Sequence, residues 1–378
     1  MRPKLLFLIT EDWFFASHFL PLAKRALAEG YEPIVAARSS GALKDLIGDG
    51  VRVIDVPFAR GSLRPDDLWR EVGAVRALLK RERPALVHAI ALKPIALLLL
   101  SGEQTTPRVL AVTGRGYSGA RQTLLTRVIV GTMAHRLRRA LIQDNTVLLV
   151  ENDADRQWIE GAAPLPIEQV RTMPGAGVDP DVFTSAPEPL SPPIVIGLAA
   201  RLIRSKGIDL AVAALSRLRA DGLEVELHIA GAPDEMNPDS VDDATLHAWR
   251  TTPGVRLLGK VTDVPAFWAA SHVACLPSRG GEGLPRSLLE AASCGRAIVT
   301  SDTPGCRDFV REEETGFVVR REDVEALARK LGFLCRNGEA RARMGKAGRE
   351  LVLSHYTERH AAEVAAQAWA QVRPRTGK

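Results

Sequence analysis

Two series of short apolar runs, separated by helical stretches, constrain this chain more than any other feature. The first series falls at residues 5–9, 33–37, 51–56, 85–90, 109–113 and 147–151, and the second at 194–198, 225–230, 255–258, 273–276, 297–300 and 316–319. Apolar runs alternating with helix-length segments predict parallel sheets covered by helices. Between the series lies Thr184-Ser-Ala-Pro-Glu-Pro-Leu-Ser-Pro-Pro193, a proline-rich stretch expected to be a linker. A chain of 378 residues is also too long for one ordinary core. The expected fold is therefore α/β, with two Rossmann-like domains facing across a cleft. Residues 1–183 form the first domain, 184–193 the linker and 194–356 the second, and 357–378 form a terminal helix. Such sheets bind ligands at the carboxyl ends of their strands. The first helix is expected to start at Ser17, with Phe19, Leu20, Ala23 and Leu27 on one face.

Composition narrows the class. Hydrophobic residues make up 46% and charged residues 25%, the balance of a soluble globular protein. The apolar run at 86–100 is broken by His88 and Lys93-Pro94 and falls short of the ~20 residues a membrane-spanning helix needs. The basic start Met1-Arg-Pro-Lys leads into an apolar run too short for a signal core, so a cytoplasmic location is expected. Cys275, Cys294, Cys306 and Cys335 lack metal-ligand spacing and read as buried free thiols. The net charge of +5 belongs to the first 180 residues, which hold 24 of the 50 basic and 19 of the 45 acidic side chains. Seven arginines lie between Gln104 and Gln143 without a carboxylate. They form either a solvated face or a docking surface for an anionic partner, a membrane surface or a phosphorylated substrate.

The chemistry concentrates at Ser278-Arg-Gly-Gly-Glu-Gly-Leu-Pro-Arg-Ser-Leu-Leu-Glu-Ala-Ala. Glycines ahead of Pro285 predict a tight loop opening a helix. Glu282 then sits at the helix mouth and Glu290 about 12 Å further along the axis. That separation suits the two ends of one extended ligand, with helix amides attracting a phosphate between them. The same spacing alone also fits an amphipathic core helix, with Leu288, Leu289, Ala292 and Ser293 as its buried stripe. Upstream, Arg201 and Lys206 lie on a loop that ends at Gly207 before a helix, a plausible diphosphate clamp. Gly114-Arg-Gly-Tyr-Ser-Gly119 spells a dinucleotide motif but lacks the ribose-binding acid that belongs about 20 residues on. It reads instead as a glycine-hinged loop presenting Arg115 and Tyr117 to an acceptor. Asp153-Ala-Asp155 imitates a metal-binding pair, but its place after Asn152 at a helix start favours capping. No other acid or histidine cluster has ligand spacing, so neither a metal nor a cofactor is expected.

Taken together, these segments resemble the retaining family 4 glycosyltransferases of the two-Rossmann GT-B architecture, of the kind that builds bacterial surface polysaccharides. The resemblance rests on the Glu282–Glu290 segment, on Gly197-Leu-Ala-Ala-Arg201…Lys206-Gly207-Ile-Asp209, and on Met173-Pro-Gly-Ala-Gly-Val-Asp179. It also rests on the opening Phe7-Leu-Ile-Thr-Glu11-Asp12-Trp13…Ser17-His18. All four occur in the family's order.

The resemblance implies a nucleotide-diphosphate sugar as donor, more in keeping with uridine than guanosine, and a saccharide or lipid-linked saccharide as acceptor. It implies that Glu290 holds the ribose, Arg201 and Lys206 the diphosphate, and Glu282 the sugar. Gly281, Gly283, Leu284 and Pro285 line the donor site. The family's sugar-proximal residue is replaced by Ile90, leaving His88 or Lys93 to contribute, although His88 reads equally well as a core histidine. The family's glycine pair in the first loop is also missing, so Asp12, Trp13 and His18 are expected on the acceptor side. The terminal helix is expected to cross back to the first domain. Two other functions fit the same fold, a nucleotide-sugar epimerase or hydrolase and a non-catalytic nucleotide-sugar-binding protein. No nucleic-acid partner is expected.

Overall fold

The computed structural model describes residues 2–44, 50–59, 64–114, 132, 135–140, 145–162, 166–190 and 192–372. Two compact units divide the chain at Ala176/Gly177 and again at Thr357/Glu358. The first carries a sheet of β1 (Lys4–Glu11), β2 (Glu32–Arg38), β3 (Arg52–Asp55), β4 (Leu86–Ile90), β5 (Arg108–Val112), β6 (Thr146–Val150) and β7 (Val170–Thr172), ordered β3-β2-β1-β4-β5-β6-β7. The second carries β8 (Ile194–Ala199), β9 (Val225–Ala230), β10 (Val255–Gly259), β11 (Val273–Leu276), β12 (Ala297–Ser301) and β13 (Gly316–Val319), ordered β10-β9-β8-β11-β12-β13. Every pairing is parallel.

The apolar runs become strands because both sheet faces are covered. In β1, Leu5, Phe7 and Ile9 join one core cluster while Leu6 and Leu8 join another, as the two-residue period of a strand requires. In β12, Ala297 and Val299 face one cluster and Ile298 a second. The three-residue β7 has no counterpart among the apolar runs, since Val-Arg-Thr is too short to show a period.

Two boundaries differ from expectation, and the terminal helix falls where it was expected. The first helix is two, Asp12–His18 and Leu20–Ala28, because Phe19 breaks the turn and Pro21 enters at the start of the second. Asp12 thus begins a helix instead of lying in a loop. The segment after Gly177 packs on the second unit well before 194. The Phe183 carbonyl accepts from Ser293 Oγ at 2.7 Å and the Ala186 carbonyl from Arg296 at 2.7 Å, while Glu188 pairs with Arg341 at 2.9 Å. The terminal helix Glu358–Val372 belongs to the first unit. It buries its alanine face there and seats Trp369 near Phe7, Tyr31 and His88.

The arginine-rich segment is only partly described. Arg108 is buried on β5 and donates to the Glu103 and Gln104 carbonyls, so it leaves the basic face. Arg136 donates to the Leu99 carbonyl at 3.1 Å, whereas Arg138 and Arg139 are exposed. Arg115, Tyr117, Arg121 and Arg127 lie outside the described residues. Among the described residues, no helix is long and apolar enough to cross a membrane.

Candidate functional site

In the second sheet β8 lies beside β11, although β9 and β10 intervene in the chain. Loops leaving adjacent strands in opposite winding directions open a crevice at their carboxyl ends. The loop after β8 brings Lys206 to that point and the loop after β11 brings Glu282. Their charged ends meet at 2.6 Å, with the side chains 17% and 10% exposed. The same Glu282 oxygen, Oε1, lies 2.8 Å from Ser278 Oγ. Among the described residues Oε2 has no hydrogen-bond partner, and two of the three Lys206 ammonium protons remain available.

The two loops are held together by backbone as well as charge. The Ser205 carbonyl accepts from the Arg279 amide at 2.7 Å, and Gly207 packs so tightly on Pro277 that a Cβ would overlap its carbonyl oxygen. Gly207 also has φ 67°, a left-handed turn that glycine adopts without strain. On the far side of the Glu282 loop, the Ser278 carbonyl accepts from Ser301 Oγ and Thr303 Oγ1. Gly305 makes room there for the Gly283 carbonyl.

Arg279 is a knot that the sequence reading missed. Its guanidinium donates to both Asp209 oxygens at 2.7 and 2.8 Å, to Glu322 at 2.6 Å and to the Arg204 carbonyl at 2.8 Å. These carboxylates raise its pKa above the ordinary arginine range, with Asp209 the main cause. Burial pushes the Asp209 carboxyl upward, but Arg279 outweighs it and the net shift is down. Arg279 therefore ties the Lys206 loop to the Glu282 loop. Its position within the glycine-rich segment was the available signal.

The other expected donor residues follow from the same loops. Arg201 is 46% exposed and pairs with Asp234 at 2.6 Å. Gly281 has φ 79° in the turn, and Pro285, with φ −65°, stands as the N-cap of the helix Arg286–Ser293. Leu284 packs on the core beneath. Glu290 lies in that helix and pairs with Arg286 one turn earlier, at 3.0 Å. This i,i+4 partner was legible in the sequence and went unread. Lys206, Glu282 and Arg201 thus lie on loops at the carboxyl ends of one sheet's strands, and Glu290 lies one turn into the helix that follows the Glu282 loop.

The first unit has the equivalent break between β1 and β4. Its expected residues are largely consumed by the scaffold. Asp12 is 0% exposed and accepts from Ser40 Oγ at 2.6 Å and from the Ser40, Gly41 and Ala42 amides. Burial pushes its carboxyl upward, but the bonds from Ser40, Trp13 and Gly41 win and the pKa falls. Asp12 is an anchor for the loop after β2, not an exposed acceptor contact. Lys93 donates to the Ala59 carbonyl and pairs with buried Glu71 at 2.9 Å, which holds the chain beyond β3.

His88 is fully buried, which favours the core reading over a contribution at the sugar. Its Nδ1 accepts from Trp369 Nε1 at 3.2 Å, which places the ring proton on Nε2. Burial lowers its pKa to about 3, so the ring is neutral and belongs to the core. Trp13 and His18 remain partly exposed; Trp13 donates to Glu11 at 3.2 Å and the His18 ring lies tilted against Phe14, with centroids 4.5 Å apart. At the helix Asp153–Ala162, Asn152 Oδ1 accepts from the Asp155 amide at 2.8 Å, an N-cap bond. Asp155 is buried while the Asp153 side chain is 81% exposed, so the pair forms no common metal face.

Comparison with known proteins supplies independent information. Residues 4–145 match the family model Glycosyl transferase 4-like, and residues 193–337 match Glycosyl transferases group 1. The capsular polysaccharide biosynthesis glycosyltransferase CapM of Staphylococcus aureus is 28% identical over 43% of this chain and 42% of its own. A phosphatidyl-myo-inositol mannosyltransferase of Mycobacterium tuberculosis is 26% identical over 84% of this chain and 82% of its own. This chain spans less than half the length of several curated relatives, 42%, 24% and 47% in three cases. Among solved structures, Anabaena Alr3699/HepE in complex with UDP-glucose is 16% identical with a TM-score of 0.76, covering 97% of this chain and 99% of that one. The two-Rossmann architecture is the GT-B fold of these neighbours.

Proposed function

We propose that this chain is a retaining, metal-independent glycosyltransferase that moves a sugar from a nucleotide-diphosphate donor to a saccharide or lipid-linked saccharide. The observation that carries this reading is the Lys206–Glu282 ion pair at the break of the second sheet, inside the segment that matches the group 1 glycosyltransferases. Glu290 takes the ribose hydroxyls, Arg201 and Lys206 the diphosphate, and Glu282 the transferred sugar through its unpartnered Oε2. As the glycosidic bond breaks, negative charge grows on the departing diphosphate. Fixed cations already in place stabilise it without reorganising. Lys206 keeps one proton on Glu282 and turns the others to the phosphate, so the ion pair acts as a pre-set hinge.

A UDP-linked donor is supported by the UDP-glucose held in the Anabaena neighbour, and the mycobacterial relative's name keeps mannosyl donors in the screen. Retention follows from the family 4 resemblance. Among the described acceptor-side residues of the first unit, Trp13, His18 and Lys93 stay partly open to solvent. Capsular and surface-polysaccharide synthesis fits the similarity to CapM. An acceptor carried on lipid places the enzyme at the inner face of the membrane, and exposed Arg138 and Arg139 suit an anionic surface.

One assay tests the reading. The protein is incubated with labelled UDP- and GDP-sugars, with and without lipid-extract acceptor, in buffer and in excess chelator. Acceptor-dependent release of nucleotide diphosphate with a product of retained anomeric configuration is expected, unchanged by the chelator. Isomerised or free sugar without acceptor identifies an epimerase or hydrolase instead. Binding without turnover identifies a sensor. Loss of activity in chelator, restored by manganese, overturns metal independence. Vesicle sedimentation tests the membrane: binding is expected only with anionic lipid and should fall with salt.

A further inference from the structure

A second charged groove lies on the second unit at the opposite edge of the sheet from the Lys206–Glu282 pair. It is walled by the strap Ser185–Glu188 and by the outer face of the helix Gly338–His355, and it encloses about 440 Å³. Its base is Arg296, which immediately precedes β12 and so sits at the amino end of the strands. Arg296 is 1% exposed. Its Nη2 donates to the Ala186 and Pro187 carbonyls at 2.7 and 3.3 Å, and its Nε is buried without a partner. Leaving a buried cationic donor unpaired is costly, and such a group calls for an explanation.

The surrounding charges do not supply one. Lys346 and Arg349 also line the groove, against the carboxylates of Glu188 and Glu350. Glu188 is already committed to Arg341 at 2.9 Å, and Arg349 donates to the Phe183 and Ser293 carbonyls. Among the described residues Lys346 and Glu350 form no ion pair, although they stand four apart on one helix. The groove therefore has three cations and one uncommitted carboxylate.

We propose that this groove binds a small phosphate-bearing anion, its phosphate seated between Arg296, Arg349 and Lys346. Guanidinium groups match phosphate oxygens through paired donors, and a lysine adds a mobile point charge. The volume admits a compact organic phosphate and not a polymer, and Leu353 and Pro187 offer an apolar wall to its organic part. The helix Arg286–Ser293 runs from the Glu282 loop to the groove, and its last carbonyl accepts from Arg349. The site is separate from the donor clamp and does not depend on the proposed transferase activity.

Calorimetric titration of the full chain with glycerol 3-phosphate tests this, with glycerol as the uncharged control and inorganic phosphate as a second probe. Binding of the phosphate ester, absent for glycerol, is expected in the parent and should survive Lys206→Ala, which disables the donor clamp. Lys346→Ser should weaken it by about two- to fivefold, the range for an exposed charge pair. Glu350→Gln should tighten it by a smaller factor. Neither side chain holds the fold, so both variants keep the structure intact. Inorganic phosphate binding as tightly as the ester assigns recognition to the phosphate group alone. Loss of binding in Lys206→Ala, or no change in Lys346→Ser and Glu350→Gln, overturns the groove as a site.

Discussion

Both sheets break their strand order at one place, β1 beside β4 in the first unit and β8 beside β11 in the second, yet the two breaks are used differently. At the second break, Lys206 and Glu282 meet with donor protons and one carboxylate oxygen left over. At the first, the charged residues expected on the acceptor side are spent on the chain itself, while among the described residues Glu11 at the end of β1 keeps one buried carboxylate oxygen, Oε1, without a partner. Asp12 is saturated by residues 40–42, and Lys93 is committed to Glu71 and Ala59. Topology alone therefore marks where a ligand can bind. Only the hydrogen-bond inventory tells whether chemistry is available there.

The sharpest test is Lys206→Ala. Truncating a half-buried cation aimed at growing phosphate charge should cost about 2–4 kcal/mol, or roughly 30- to 1000-fold in kcat/KM. Affinity for the free nucleotide diphosphate should fall with it. Unchanged kinetics would remove the second break from the mechanism and erase the contrast between the units. Glu282→Gln comes next, with kcat down by about 100-fold and nucleotide diphosphate affinity within a few-fold of the parent, because this carboxylate faces the sugar. An equal loss of affinity for the bare nucleotide would move Glu282 from the sugar to the diphosphate.

Asp12→Ala probes the other half of the contrast. Removing an acceptor of several buried amide bonds should destabilise the fold by about 2–3 kcal/mol in urea melts. Turnover per folded molecule should stay within about twofold of the parent, as a scaffold role requires. A raised KM for acceptor with unchanged stability would restore Asp12 as an acceptor contact and make the two breaks alike.

The sequence carried the loop geometry of the second unit well, because glycine-rich loops constrain which residues can approach. Gly207 and Gly305 allow backbones to touch, and that fixes where Lys206 and Glu282 lie. The sheets were legible for a similar reason, since strands buried on both faces are uninterrupted apolar runs. Asp12 and Lys93, and His88 in its core reading, owe their surroundings to distant chain. His88 is sealed by Trp369, 281 residues later, and Lys93 by Glu71 and the chain after β3. Local spacing holds no trace of such partners. Arg279 lay within the motif, but its partners Asp209 and Glu322 are also remote in sequence, 70 and 43 residues away.

The smallest expected effect extends the contrast to the opposite edge of the first sheet. Glu82 lies at the end of the helix Pro65–Glu82 and receives Lys4 at 3.1 Å, Arg52 at 3.0 Å and Arg81 at 3.0 Å. Burial pushes its carboxyl upward, but Lys4, Arg81 and Arg52 outweigh that and bring its pKa from 4.5 down to about 2. A carboxylate with a depressed folded-state pKa stabilises the protein above its unfolded value, and that stability is lost as pH falls through the folded one. Glu82→Gln should therefore lower stability at neutral pH by about 1 kcal/mol, a value kept small because the three cations remain partly solvated. The gap between parent and variant should hold down to about pH 4.5 and close steadily toward pH 2. Urea midpoints at matched pH values measure it directly, while sugar transfer at neutral pH should not change. A gap that persisted at pH 2 would mean that Glu82 acts through packing and not charge. A loss of transfer would place a functional residue where the structure shows only scaffold.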